Sequence, residues 1–179
     1  MSVIHIEGPH PATLTAEQLL EQCDLRTQRR SGPGGQHRNK TSSGVFLHHK
    51  PTNTIGEATE RRSQADNRAV ALQRLRFRLA VEIRTQSILD QPSDSPSEEV
   101  ELRERYRGTA LKVNDRNEAK SGLIALLLND LYAAGGQPSA VAPAWQTSTS
   151  AVVRLVKSHP AAFSVLNAIR SHHNRGALK

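Results

Sequence analysis

The sequence contains a single cysteine, Cys23, among its 179 residues. One thiol excludes an intramolecular disulfide and a cluster of cysteine ligands around a metal, and it fits a reducing cytosol. Aromatic residues make up only 3% of the chain, so a platform that binds single strands by base stacking is not expected. The longest apolar run, Leu123–Leu128, is too short to cross a membrane.

Targeting signals are also missing from the first residues. The chain does not open on a basic region followed by an apolar core, so no secretion signal is predicted. An organellar transit peptide is not expected either, because no arginine precedes Arg26, and Glu7 and Glu17 are acidic. The expected location is therefore cytoplasmic, with no membrane partner.

Positive charge is abundant but unevenly distributed. The chain has a net charge of +7, and residues 26–84 alone hold 13 Lys and Arg against 4 Asp and Glu. The remainder holds 11 Lys and Arg against 13 Asp and Glu, from which a mildly acidic C-terminal part is expected. A concentrated basic segment indicates a nucleic-acid binder. The alternative is a solvated charged face, but such faces usually mix both signs.

Within the basic segment lies a run of glycine and proline that suits neither a helix nor a central strand. It reads Ser31-Gly32-Pro33-Gly34-Gly35-Gln36-His37-Arg38-Asn39-Lys40. The pattern predicts a shaped loop whose polar end can approach a phosphate-rich surface. The spacing fits neither a Walker loop nor a dinucleotide-binding fingerprint. A simple glycine-rich turn between two strands is the alternative.

A second motif follows the loop, Glu60-Arg61-Arg62-Ser63-Gln64 and then Asn67-Arg68. Together the two motifs resemble the catalytic domain of class I peptide-chain release factors, over about residues 14–86. The resemblance implies an α+β fold with a small, mainly antiparallel sheet and a long packing helix. The expected organisation is a flexible N-terminus at 1–13, this domain at 14–86, a linker at 87–99 and a small helical C-terminal module at 100–179.

Local patterns predict the individual elements. Thr15 and Gln18 form a capping box that opens a helix at 16–23, and Asn53 is suited to a left-handed turn between strands. Ser63 is expected to cap a long helix with one buried stripe. The expected strands are 24–30, 41–49 and 54–60. The long helix is expected from Ser63 to about Gln86, and the residues on its stripe are Ala65, Leu72, Leu75, Leu79 and Ile83. Later helices are expected at 98–107, at 115–134, from Ser148 or Thr149 to Lys157, and at 160–172.

The last two helices are close enough to form a helix-turn-helix-like pair, which we interpret as a packing unit and not as a DNA reader. A second Gly-Gly-Gln occurs at Gly135-Gly136-Gln137, but Pro138 follows it and no Asn-Lys pair comes after it. We interpret this second copy as a helix terminus.

The resemblance implies chemistry that ribosomal RNA completes. Gln36 would be the central catalytic residue, with Gly34 and Gly35 allowing the backbone conformation that aims its N–H at the developing oxyanion or the leaving ribose hydroxyl. No titratable base, cofactor or metal is expected. The implied RNA-binding residues are Arg38, Asn39, Lys40, Arg61, Arg62, Gln64, Asn67 and Arg68, and the loop-shaping residues are Ser31, Gly32 and Pro33. Gln64 and Asn67 could equally pin the helix start to the loop.

Only about thirty residues precede the loop in this sequence, which leaves no room for a codon-recognition domain. The chain therefore resembles the short release-factor group that rescues stalled ribosomes without a stop codon. The implied partners are large-subunit RNA and P-site peptidyl-tRNA, with a possible protein partner for the C-terminal helices, and a monomer is expected. Two alternatives stay open: a noncatalytic ribosome- or RNA-binding protein, and a permanent component of a ribosomal subunit.

Overall fold

The computed structural model describes residues 3–29, 43–90 and 96–179, which form an α+β structure. The strands of these ranges are β1 (Ile4–His5), β2 (Cys23–Gln28), β3 (Gly44–His49), β4 (Thr54–Ala58) and β5 (Ile83–Arg84). The α-helices are α1 (Ala16–Glu21), α2 (Gln64–Glu82), α3 (Ser97–Tyr106), α4 (Lys120–Ala133), α5 (Pro138–Val141), α6 (Thr149–Lys157) and α7 (Pro160–His172). Short 3-10 helices cover Pro11–Thr13 and Gly108–Leu111.

These elements belong to two compact units. The described residues of Thr15–Leu79 form the first, which we call the sheet unit. The described residues of Met1–Leu14 and Ala80–Lys179 form the second, which we call the helical unit. The boundaries therefore differ from those expected at 13 and 86, since the first fourteen residues group with the C-terminal helices. None of the described helices combines the length and apolar character needed to cross a membrane.

The sheet unit is built on an antiparallel sheet with the strand order β2-β3-β4. Val45 and Leu47 of β3 are fully buried on one face, while Phe46 between them is only half-buried on the other. This alternation is the predicted one, because successive side chains of a strand point to opposite faces. Asn53 in the β3–β4 turn has a φ of 55°, which confirms the predicted left-handed residue.

The caps predicted for the sheet unit are present. The Thr15 hydroxyl accepts from the Gln18 backbone N–H, and the Gln18 side chain accepts in return from the Thr15 N–H, which completes the capping box of α1. At the start of α2, the Ser63 hydroxyl accepts a hydrogen bond from the backbone N–H of Asp66. Both helices therefore begin where the sequence places them.

Helix α2 packs closely on the sheet through a stripe that differs in part from the predicted one. Leu75 and Leu79 are fully buried as expected, but Ala65 is exposed, and Ala71 and Asn67 take the inner positions. The buried residues Asn67, Ala71, Leu75 and Leu79 are spaced by four. Because one turn of the helix takes 3.6 residues, this row turns slowly around the helix axis, and at the first turn it reaches Asn67 rather than Ala65. The helix also ends at Glu82, and Ile83 belongs to β5.

The helical unit surrounds α4. All residues from Lys120 to Leu131 are buried, including Asn129 and Asp130, whereas the sequence predicted a single buried face. A helix that is apolar on nearly every side is usually buried in a core, and the sequence of α4 therefore has no polar face. The structure also starts α4 five residues later than expected.

The N-terminal segment is part of the helical unit's core, in contrast to the flexible terminus expected at 1–13. Strand β1 pairs in parallel with β5. His10 is completely buried: its backbone N–H donates to the Glu99 carboxylate at 2.7 Å, and its Nδ1 accepts from the Ala12 N–H at 3.1 Å. Contacts between residues 73 or more positions apart are not visible as local sequence patterns, which explains the difference.

The segment expected to be a linker, 87–99, is partly structured. Ser87 is buried and donates its hydroxyl to Asp130 at 2.8 Å, and α3 begins at Ser97. Residues 91–95 of this segment lie outside the described ranges.

The second Gly-Gly-Gln closes α4, as predicted. Gly135 and Gly136 have φ values of 57° and 73°, which only glycine adopts readily. The Gly136 N–H donates to the Leu131 carbonyl and the Gly135 N–H to the Tyr132 carbonyl, the hydrogen bonds of a Schellman motif. The later helices are also confirmed, with Ser148 as the N-cap of α6 and Pro160 in the first turn of α7.

Candidate functional site

The predicted catalytic loop connects two paired strands. Residues Ser31, Gly32, Pro33, Gly34, Gly35, Gln36, Arg38, Asn39 and Lys40 lie outside the described ranges. Its flanks are described: Gln28 at the end of β2 lies directly opposite Gly44 at the start of β3. The chain therefore leaves the sheet and returns to it at neighbouring positions.

Asn67 is the residue that fastens the returning chain to the second motif. It is 0% exposed, and its Nδ2 donates to the carbonyls of Ser43 at 2.6 Å and Arg61 at 2.9 Å. Its Oδ1 accepts from the backbone N–H of Arg61 at 2.9 Å. The side chain joins the residue before β3, the segment before α2 and α2 itself. Of the two interpretations given for Asn67, this geometry matches pinning of the helix start, and it leaves no amide hydrogen of Asn67 available to RNA.

The other residues of the second motif lie on the surface around the start of α2. Arg61, Arg62, Gln64 and Arg68 are all exposed. Among the described residues, none of the three arginines has a carboxylate within ion-pair distance. Unneutralised guanidinium groups beside the N-terminal end of a helix favour an anionic partner, since backbone N–H groups add to the positive potential there.

Two further arginines of α2 serve the fold. Arg74 donates to the Glu57 carbonyl at 2.8 Å and forms an ion pair with Glu60 at 2.7 Å, and Arg78 donates to the Ile55 carbonyl at 2.7 Å. They tie α2 to β4. The pKa of Glu60 is lowered, mainly by backbone N–H groups of Thr59 and Glu60 and further by Arg74. Neither arginine belongs to the predicted buried stripe, and no sequence pattern indicates their partners.

Arg84, another arginine of the basic segment, belongs to the helical unit and is 1% exposed. Its guanidinium donates to the carbonyls of Ala80 and Val81 at 2.9 Å each, and so caps the end of α2. Burial lowers its pKa to about 10. Arg84 therefore contributes to helix termination and not to an exposed basic surface.

The histidine pair of β3 makes contacts within the sheet unit. His49 is 0% exposed, with ring nitrogens at 2.7 Å from the Thr52 hydroxyl and 2.9 Å from the Gln22 side-chain oxygen. Burial, and then the neighbouring His48, lower the pKa of His49, so its ring is neutral at pH 7. His48 lies on the opposite face, 3.2 Å from the Asn53 side-chain oxygen.

Comparison with known proteins identifies a family whose sequence pattern this chain matches. Residues 17–121 match the RF-1 domain. The chain is 43% identical over 74 residues to peptide chain release factor 1 of Lactiplantibacillus plantarum, covering 40% of this chain and 21% of the relative. It is 52% identical over 73 residues to the mitochondrial peptide chain release factor 1-like protein of Rattus norvegicus, covering 40% and 19%.

A third relative is a release factor 2. Peptide chain release factor 2 of Acidovorax sp. is 55% identical over 62 residues, which cover 34% of this chain and 17% of the relative. The matching segment thus spans about a fifth of the length of these curated relatives.

Proposed function

The chain belongs to the RF-1 domain family, and on that premise we propose that it is a ribosome-dependent peptidyl-tRNA hydrolase. The reaction is hydrolysis of the ester between the nascent peptide and the P-site tRNA, in the peptidyl-transferase centre of the large subunit. The products are a free peptide and a tRNA with a free ribose hydroxyl. The active site is completed by ribosomal RNA and the tRNA ribose.

In this proposal Gln36 is the central residue. Its backbone N–H stabilises the oxyanion that develops as water attacks the ester, or the leaving ribose hydroxyl, as a preorganised donor. Its side chain orients the attacking water and excludes larger nucleophiles. Gly34 and Gly35 allow the backbone conformation that this requires. No titratable protein base takes part, because the tRNA ribose and the RNA supply the proton path.

One observation supports this proposal beyond the family membership, namely the junction made by Asn67. This side chain holds Ser43, where the chain re-enters the sheet, to Arg61 in the second motif. Ser43, which we call the loop base, is therefore joined to Arg61 through hydrogen bonds of a buried side chain, and the exposed Arg62 is the next residue along the chain. Contacts from these cations to RNA phosphates would orient the loop base at the same time, which suits a reaction that depends on positioning.

We further propose that release does not require a stop codon and that the protein acts on stalled ribosomes. This step rests on the resemblance to the short rescue group. A cytoplasmic location would follow from it. The partners would be large-subunit RNA and peptidyl-tRNA, with the helical unit available for a further contact.

The experiment that tests the proposal measures peptide release from purified ribosomes that hold labelled peptidyl-tRNA. Four states are compared: an empty A site on truncated mRNA, a sense codon, a stop codon, and an isolated large subunit. Release on truncated mRNA without a stop codon is the expected result. Release only with a stop codon would contradict codon independence and leave hydrolysis standing. Release only on the large subunit would point to action after subunit splitting.

The noncatalytic alternative makes a different prediction in the same experiment. A ribosome- or RNA-binding protein of this fold would co-sediment with stalled ribosomes and release no peptide from any of the four states. A permanent subunit component would stay bound through washes at high salt, whereas a factor held by phosphate contacts would be removed.

A further inference from the structure

The side chains of the last 49 residues carry charge of a single sign. Positions 131–179 contain five Lys and Arg and no Asp or Glu. The module at 100–179 holds 11 Lys and Arg against 5 Asp and Glu, so the expectation of a mildly acidic C-terminal part is wrong. The acidic residues responsible for that expectation precede position 100, four of them before Arg26. A segment of this length without acidic side chains is unlike the mixed-sign segments that are merely solvated.

Part of this charge converges on the glycine turn after α4. Arg170 of α7 donates to the Gly136 carbonyl at 2.7 Å, and Arg175 donates to the Gly135 carbonyl at 3.0 Å. The His173 ring lies against Gly135, since a Cβ there would be 3.2 Å from its Nδ1. A Cβ on Gly136 would be 2.6 Å from the Arg170 Cγ. Because Gly135 and Gly136 have no side chains, the side chains of Arg170 and His173 can lie directly against their backbone.

Residues 176–178 are held beside the same turn. Arg170 also donates to the Gly176 carbonyl at 2.8 Å. The Asn167 side chain accepts from the Leu178 N–H at 2.9 Å and donates to its carbonyl at 3.3 Å. Lys179 follows this clamp and is exposed, as are His172, His173 and Arg175. We call this set the corner cluster: Arg170, His172, His173, Arg175 and Lys179.

The negative ends of the helix dipoles balance only part of the positive charge of the corner cluster. The C-terminal ends of α4 and α7 contribute roughly half a negative charge each. Arg170, Arg175 and Lys179 contribute three positive charges, so about one remains unbalanced even when a carboxylate at Lys179 is counted. Among the described residues, none of these three cations has a carboxylate within ion-pair distance, and the acceptors of the two arginines are neutral carbonyls. Arg170 and Arg175 are thus held in place, and with Lys179 they give the corner cluster a net positive charge.

We propose that the corner cluster is an RNA-binding site that takes phosphodiester groups of a structured RNA. Guanidinium and ammonium groups are the usual ligands of backbone phosphates, and fixed arginines lose little freedom on binding. The exposed Arg154 and Lys157 of α6 add potential of the same sign to the helical unit. This site goes beyond the proposed function, because it needs neither Gln36 nor the second motif. It would give the protein a second point of attachment to RNA.

The test uses the full chain and a short blunt-ended RNA duplex, with binding followed by fluorescence anisotropy at several salt concentrations. The variant Arg175→Gln/Lys179→Gln removes two charges and leaves Arg170 on the glycine turn. The slope of log Kd against log salt should fall by about 0.9 for each phosphate that is no longer neutralised. The matched control Arg105→Gln/Arg116→Gln removes two exposed charges of the same unit outside the cluster, and its slope should not change.

Further measurements separate the outcomes. Thermal unfolding of the control variant should match that of the unaltered chain, since its substituted groups are exposed. The cluster variant loses only the hydrogen bond from Arg175 to the Gly135 carbonyl, so it should unfold no more than a few degrees lower. Inorganic phosphate at constant ionic strength should not displace the duplex in a saturable way; saturable displacement would replace the proposal with a small-anion site. Equal slopes in the two double variants, or no duplex binding by the unaltered chain, would overturn it. The variant Gln36→Ala should retain the full slope. A failure of the proposed catalysis can therefore be told apart from a failure of the proposed binding site.

Discussion

The side-chain amide of Asn67 pairs with both backbone groups of Arg61, accepting from its N–H and donating to its carbonyl at 2.9 Å each. A third hydrogen bond of the same side chain reaches the Ser43 carbonyl. One buried residue of α2 therefore holds both the arginine motif and the return of the chain from the glycine-rich segment.

Replacing Asn67 with alanine should destabilise the protein by about 3 kcal/mol, because backbone groups of Arg61 and Ser43 lose their buried partner. Urea unfolding measures this change. Gln64→Ala, an exposed substitution three positions earlier, should stay within about 0.5 kcal/mol of the unaltered chain. If Asn67 served RNA binding alone, its substitution would leave the unfolding midpoint where it was.

At Gly56 the backbone of β4 lies very close to α2. A Cβ on it would lie 2.4 Å from the Ala71 carbonyl oxygen and 2.5 Å from the Leu75 Cβ. Gly56→Ala should therefore cost about 1–3 kcal/mol by forcing the helix off the sheet. Gly176→Ala, where a Cβ meets nothing within 4 Å, is the control and should be nearly neutral. Equal thermal stability of the two variants would refute this account of the packing.

The sheet unit is the more predictable half of the molecule. The capping box of Thr15, the left-handed Asn53 and the alternation of Val45, Phe46 and Leu47 are local patterns, and the structure has each of them. The inward placement of Asn67 is one of the two interpretations that its motif allows. Its partners could not be derived, because Ser43 lies 24 positions away and the pairing depends on how α2 meets the sheet.

The helical unit is less predictable for the same reason. His10, Ser87 and Arg103 are polar or charged residues, which are usually exposed. They are buried here because Glu99 and Asp130 provide partners from distant parts of the chain. No sequence period reveals such pairs. The catalytic residues themselves stay a prediction, since positions 31–40 lie outside the described ranges.

Asp130 of α4 is the hub of the helical unit. It accepts two hydrogen bonds from Arg103, at 2.6 and 3.0 Å, and one each from the Trp145 indole and the Ser87 hydroxyl. Asp130→Asn should cost about 3–5 kcal/mol, because it leaves the Arg103 charge buried without its partner. Calorimetric unfolding measures the change.

The control for Asp130 is another acid paired with an arginine in the same unit. Glu104 forms an exposed ion pair with Arg107 at 2.7 Å. Glu104→Gln should change stability by less than about 1 kcal/mol, as is usual for surface pairs. Similar effects of the two variants would show that burial of the Arg103 pair does not decide its contribution.

His49 should make stability depend on pH. Burial lowers its pKa below the ordinary value of 6.5, so the unfolded chain binds the proton more readily than the folded one. The stabilisation that neutral His49 gives the folded chain is therefore complete above about pH 6.5, and it is lost as the pH falls below that value. Urea midpoints at about pH 7.5 and about pH 5.5 should differ more for the unaltered chain than for His49→Gln. The exposed control His172→Gln should keep the full difference, and an unchanged difference in His49→Gln would contradict this assignment.

The proposed role of Gln36 in peptide release has a matched control within the chain. Two Gly-Gly-Gln sequences occur, and only the first is followed by Asn-Lys and the arginine motif. The decisive measurement is the rate of peptide release from ribosomes stalled on truncated mRNA, for Gln36→Ala and Gln137→Ala beside the unaltered chain. A rate reduced by about a hundredfold or more in Gln36→Ala, with Gln137→Ala unaffected, is the predicted result. Release by Gln36→Ala at the unaltered rate would contradict the account.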